Sequence, residues 1–135
     1  MIQLLLIFSD RTIFILRIVL ALIFLAHGWP KIKNLKANAQ NFNMMGFKPG
    51  ALWGTVVALV EFAGALLLLL GLFTPVVSLL LASEMAVAMI WKIIKGQKLV
   101  GGYELDLILL ASVLLLATLS GGLYSLDSYW HLRFF

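Results

Sequence analysis

Two glutamates lie in the middle of long apolar stretches of this 135-residue chain. Glu61 is at the centre of the otherwise uncharged segment 51–72, and Glu84 is at the centre of the next apolar segment. As a helix, the first segment would span roughly 33 Å, about the thickness of the hydrocarbon core of a bilayer. A carboxylate at that depth costs about 2.5 to 3.5 kcal/mol on insertion scales. We therefore expect each glutamate to pair with another charge, to bind a ligand, or to do both.

Arg17 is a third charged residue inside an apolar segment, and it is the expected partner of Glu61. At about 100° per residue, Glu61 shares one face of its helix with Gly54 and Ala58, and such small residues typically face another helix. In an antiparallel pair, Arg17 would come within side-chain reach, which predicts a buried Arg17–Glu61 ion pair. The pair either polarises a buried ligand pocket or only locks two helices together, because a buried ion pair is weak evidence for activity.

The sequence offers Glu84 no oppositely charged partner of this kind. It points away from the small-residue face that Ser78 and Ala82 form on its helix. Three interpretations stay open: Glu84 is protonated, it faces a second copy of the chain, or it contacts a ligand.

A second polar group is expected where the first helix ends and the fourth begins. His27 and Lys31 lie at the end of the first helix, and Glu104 and Asp106 lie at the start of the fourth. Acidic residues in a first helical turn are favoured by the helix dipole alone. The alternative is a proton-handling pair of His27 with Glu104. One histidine with two carboxylates is a weak metal signal, so no metal site is predicted.

The elements that position these residues are four apolar spans, at about 12–29, 51–72, 75–94 and 103–119. Helices and closed barrels alone satisfy their backbone in lipid, and these spans lack the alternation of barrel strands. The short links predict an all-α, antiparallel four-transmembrane-helix bundle that forms a single domain over residues 1–135. Pro30 should end the first helix. The connection after it mixes apolar residues with lysines and asparagines, which predicts a short interfacial helix between the first and second spans.

The composition excludes several functional classes. The chain is 63% hydrophobic with a mean hydropathy of +1.08, unlike a soluble domain. The absence of cysteine excludes thiol redox chemistry, disulfides and thiolate-bound clusters within the chain. The net charge of +4 comes without a basic stripe with interleaved aromatics, so no nucleic-acid partner is expected.

The lysines carry a topology signal. They concentrate in the connections 30–50 and 95–102. The positive-inside rule then places both connections in the cytoplasm and both termini outside. The predicted location is the plasma membrane, as an integral protein of a bacterial or archaeal inner membrane in contact with the lipid bilayer.

Several short blocks follow one another in a familiar order: Arg17 with His27-Gly28-Trp29-Pro30-Lys31, Met45-Gly46-Phe47, Glu61-Phe62-Ala63-Gly64, Gly101-Gly102-Tyr103-Glu104, and Gly121 to Asp127. In this order and spacing the chain resembles the DoxX family of small four-helix membrane proteins. It departs from the family at Ala63-Gly64, where a glycine pair is common, and Glu84 is not a family motif position. The resemblance implies quinone-linked membrane redox, as in a subunit of a thiosulfate:quinone oxidoreductase.

The favoured hypothesis is a membrane subunit of a quinone-linked redox complex, or a binder of an apolar ligand through a buried Arg17/Glu61 site. It implies no covalently bound cofactor, a quinone as ligand, and a soluble or membrane oxidoreductase as partner. The alternatives are a non-catalytic scaffold and a small proton-coupled transporter that acts as a homodimer. No complete catalytic motif is present, so the chain is at most an oxidoreductase subunit. The candidate ligand-binding or proton-handling residues are Arg17, His27, Lys31, Glu61, Glu84, Glu104 and Asp106.

Overall fold

A computed structural model describes residues 2–130 of the chain. Its helices are α1 (Ile2–Leu6), α2 (Ser9–Lys33), α3 (Leu35–Met45), α4 (Gly50–Leu70), α5 (Thr74–Ile94), α6 (Glu104–Leu119) and α7 (Leu126–Tyr129), with a kinked segment at Leu99–Tyr103 before α6. Four of them, counting the kinked segment Leu99–Tyr103 with α6, are long and apolar enough to cross a membrane. The all-α membrane fold is therefore confirmed. The chain ends fall outside the described residues, so their predicted side of the membrane stays a prediction.

The first long helix corrects one expectation. Pro30 does not end it, because α2 continues to Lys33. The helix ends at Asn34, whose backbone leaves the helical region with φ −139° and ψ 75°. The side chain of Asn34 then accepts a hydrogen bond of 3.0 Å from the amide of Ala37 and so caps α3. The capping residue Asn34 therefore decides where α2 ends, since a proline costs one helical hydrogen bond without ending the helix.

Helix α3 is the short helix predicted in the connection, and it packs along the start of α4. The side-chain amide of Asn38 is buried and donates to the carbonyl oxygen of Gly54 at 2.7 Å. The side chain of Asn43 accepts from the amide of Gly50 at 2.8 Å. Trp91, near the end of α5, donates its indole N–H to the carbonyl oxygen of Met45 at 3.0 Å. Helix α3 and the end of α5 therefore lie at the same end of the bundle, here called the lysine end.

The core lies between the four long helices. Leucine is the commonest of its buried side chains, and Phe24 is the largest apolar one. Further leucine, isoleucine and valine side chains point outward and are exposed in the isolated chain, as expected of a surface that meets lipid. Helices α2 and α4 approach closely at Gly28, where a Cβ atom would lie 2.8 Å from the amide nitrogen of Phe62 and 3.1 Å from the Cβ of Glu61. This contact fixes the register of the two helices.

Because the obstacle at Gly28 is backbone, we expect Gly28→Ala to force the two helices apart. The expected loss of unfolding free energy is about 1–3 kcal/mol, measured by unfolding in detergent micelles. Gly64→Ala is the matched control, since its Cβ would meet nothing closer than Val77 Cγ1 at 3.4 Å. That change should be neutral or slightly stabilising, because alanine is the better helix former. Equal effects of the two substitutions would contradict a register set at Gly28.

Candidate functional site

Lys31 and Glu61 form an ion pair between α2 and α4. Lys31 Nζ lies 2.6 Å from Glu61 Oε2, and the two side chains are 28% and 5% exposed. The pair exists because α2 runs past Pro30, which carries Lys31 one turn beyond the contact of Gly28 with the backbone of Glu61. A buried carboxylate thus receives its countercharge from the end of the neighbouring helix.

The predicted Arg17–Glu61 ion pair is wrong. Arg17 lies about three turns, roughly 16 Å, before Gly28 on α2, so the register set at Gly28 carries it away from Glu61. Its guanidinium instead lies against Gly71 at the end of α4. There it donates to the carbonyl oxygens of Gly121 at 3.0 Å and Tyr124 at 2.7 Å.

Glu84 joins the Lys31–Glu61 pair from α5. Its side chain is partly buried and interacts electrostatically with Glu61 and Lys31. Its Oε2 atom is buried and has no hydrogen-bond partner among the residues that the structure describes. Glu84 therefore lies within electrostatic range of the ion pair, and the three residues Lys31, Glu61 and Glu84 are called the charged cluster below.

The charged cluster can do two things chemically. The Lys31 ammonium has three donors, of which one is used by Glu61, and Glu84 Oε2 is an acceptor without a partner. A ligand with one polar atom of either kind can therefore be held among apolar helices. Carboxylates inside a membrane bundle can also take up and release protons.

The predicted proton-handling pair of His27 with Glu104 is wrong. Both residues are exposed, and no hydrogen bond or ion pair joins them within residues 2–130. The carboxylate of Glu104 turns back over the start of α6 and accepts from the amide of Gly101 at 3.1 Å. Its role there is the ordinary one of an acid at a helix N-terminus.

Asp106 pairs with a lysine of the preceding helix, a partner that the sequence analysis did not name. Its Oδ2 lies 2.6 Å from the Nζ of Lys92, and the pair joins the end of α5 to the start of α6. The side chains are 11% and 29% exposed, almost as in the Lys31–Glu61 pair. The signal in the sequence was the position of Lys92 in the last turn of one helix and Asp106 in the first turn of the next, where both complement the helix dipoles.

A polar clamp closes the opposite end of the bundle. Asp127 accepts hydrogen bonds from the amides of Phe73 at 2.7 Å and Thr74 at 2.8 Å, and its own amide donates to the carbonyl oxygen of Gly71 at 2.9 Å. It also attracts the buried guanidinium of Arg17. Arg17 thus holds the C-terminal segment onto the turn between α4 and α5, apart from the charged cluster. Sequence reasoning found Asp127 only as a family position, because no local pattern shows that this segment folds back.

Comparison with known proteins fits this arrangement of helices. The sequence model of the DoxX family matches residues 12–92, more than half of the chain, and this range contains the whole charged cluster. The chain belongs to the DoxX family. A relative of this DoxX protein is the putative oxidoreductase CatD of Bacillus subtilis (strain 168), which is 29% identical over 115 residues, or 85% of this chain and 84% of the relative. No solved structure matches the chain.

The described residues offer no metal centre. Within residues 2–130, no group of three or more histidine, cysteine, aspartate or glutamate side chains is placed to hold a metal ion.

Proposed function

We propose that this DoxX protein is the membrane subunit of a redox complex and binds a quinone, or a ligand of the same apolar kind, at the charged cluster. The observation that carries the proposal is the arrangement of Lys31, Glu61 and Glu84, in which Lys31 pairs with Glu61 and Glu84 interacts electrostatically with both between apolar helices. Intramembrane charges are costly and mark functional sites by default. The name of the relative, a putative oxidoreductase, supports the redox part.

The donor set of the cluster fits a quinone and its reduced form. The carbonyl oxygens of a quinone accept hydrogen bonds, and the Lys31 ammonium has N–H donors that Glu61 does not use. The hydroxyl groups of a quinol donate, and Glu84 Oε2 is a buried acceptor without a partner among the described residues. A bound quinone would supply two-electron, two-proton chemistry. Lys31 would orient the ring oxygen, Glu61 would hold the Lys31 ammonium, and Glu84 would take up or return a proton at Oε2.

The proposal includes a partner and a location. The electrons would come from a soluble or membrane oxidoreductase partner. The protein would lie in the plasma membrane with its lysine end towards the cytoplasm, in accord with the positive-inside rule.

Glu84→Gln is expected to weaken the binding of a short-chain quinol by about fivefold, since the amide keeps an acceptor but loses the negative charge, and a hydrogen bond to a charged group contributes about 1 kcal/mol more than a neutral one. The measurement is anaerobic titration of the quinol onto the protein in lipid nanodiscs by calorimetry. Asp106→Asn is the control, because Asp106 is a carboxylate of the other ion pair and should leave the affinity unchanged. Wild-type affinity in Glu84→Gln, or an equal loss in both variants, would contradict the proposal.

A further inference from the structure

An apolar groove runs along the outward side of the contact between α2 and α4. Its volume is about 460 Å³, and it is lined by Leu22, Leu25, Ala26, Trp29, Phe62 and Leu66. The rings of Trp29 and Phe62 form one end, with centroids 5.8 Å apart and planes inclined at 32°. No charged side chain lines the groove, so its walls favour a hydrocarbon.

The groove is separate from the charged cluster. Counted at about 100° per residue from Gly28, which faces α4, the four groove residues of α2 lie about 60° to 160° to one side. Lys31 lies about 60° to the other side, towards Glu61 and Glu84. An occupant of the groove and a ligand of the cluster would therefore bind on opposite sides of the same pair of helices.

One end of the groove carries a cation. Lys33 lies on the groove side of α2, about 140° from Gly28, and its Nζ is 5.8 Å from the centre of the Trp29 ring. Lys33 is exposed and makes no ion pair within the described part of the chain. A tryptophan with a lysine beside it is typical of the depth at which lipid head groups lie. The far end, at Leu22 and Leu66, has no such group.

We propose that this groove binds an acyl chain of an anionic phospholipid whose phosphate pairs with Lys33. The leucine, alanine and aromatic walls match a hydrocarbon chain, and the Trp29 ring holds the Lys33 ammonium at the end where the head group would emerge. A zwitterionic lipid would make the same chain contacts, but it carries no net charge for Lys33 to neutralise. The site thus selects the head group by charge and the chain by shape.

The test is native mass spectrometry of the full chain with an equimolar mixture of phosphatidylglycerol and phosphatidylcholine that carry identical acyl chains. We expect one phosphatidylglycerol to be retained preferentially. Lys33→Gln should reduce that preference about fivefold, the effect of one lysine near a lipid surface. Ala26→Phe, at an exposed position of the groove wall, should lower the retention of both lipids. Lys98→Gln is the matched control, because Lys98 is also exposed but lies in the α5–α6 connection and does not line the groove.

Equal retention of the two lipids by the wild type would overturn the inference, as would equal effects of Lys33→Gln and Lys98→Gln. Displacement of a co-purified quinone by Ala26→Phe, with lipid retention unchanged, would also overturn it and identify a quinone as the occupant. Glu84→Gln should leave lipid selectivity unchanged. A result that contradicts quinone binding at the charged cluster can therefore be told apart from one that contradicts lipid binding in the groove.

Discussion

Lys31→Met should lower the unfolding free energy by about 3–5 kcal/mol, because it leaves the Glu61 carboxylate buried without its partner. Glu61 is only 5% exposed, so water cannot replace the ammonium that lies 2.6 Å away. The same change removes the cation that faces Glu84. Equilibrium unfolding in mixed detergent micelles, followed by circular dichroism, measures the loss.

The double variant Lys31→Met/Glu61→Leu should recover most of that loss, since replacing a buried ion pair by apolar residues of similar volume is often neutral or stabilising. With the wild type and the single variant Glu61→Leu, these proteins form a double-mutant cycle, and its coupling energy reports the interaction of Lys31 with Glu61. A loss below about 1 kcal/mol in Lys31→Met, or strictly additive effects in the double variant, would show that the pair does not join α2 and α4 as described.

The second large effect is expected at the opposite end of the bundle. Asp127→Ala should cost about 3 kcal/mol or more, because it removes the acceptor of the buried Thr74 amide and the negative charge that faces Arg17. Asp127→Asn keeps an acceptor but loses the charge, so its cost should be intermediate. Ser128→Ala is the control, since its hydroxyl takes part in no hydrogen bond within the described chain. The measurement is again the unfolding free energy, and Asp127→Ala indistinguishable from Ser128→Ala would contradict the clamp.

The helices could be predicted from the sequence, but their offset along the membrane normal could not. Apolar length identifies a span, and the periodicity of about 100° per residue gives the face that points inward. Neither gives the axial position of one helix against another. That position depends on the backbone contact at Gly28, which places Lys31 rather than Arg17 beside Glu61.

The sequence therefore predicted individual residues of the candidate site, but not which of them lie together in space. Glu61 and Glu84 were identified because charges in apolar segments are costly, whereas Lys31 was assigned to a separate polar group with His27 at the end of the first helix. Their grouping required α2 to continue past Pro30, and the capping side chain of Asn34 decides where that helix ends. The clamp at Asp127 depends on a turn that begins at Ser120, with φ 62°. Gly121 and Gly122 predict that the helix stops there, but not that the next segment folds back.

The affinity of the Lys31→Met/Glu61→Leu variant for a short-chain quinone tests the binding role of the charged cluster most directly. Calorimetry in nanodiscs should show binding abolished while the bundle stays folded. The matched control is Lys92→Met/Asp106→Leu, which removes the other ion pair of the same 2.6 Å length and should keep wild-type affinity. Wild-type affinity in the Lys31/Glu61 variant would contradict a ligand site there and leave the pair with the purely structural role of a scaffold.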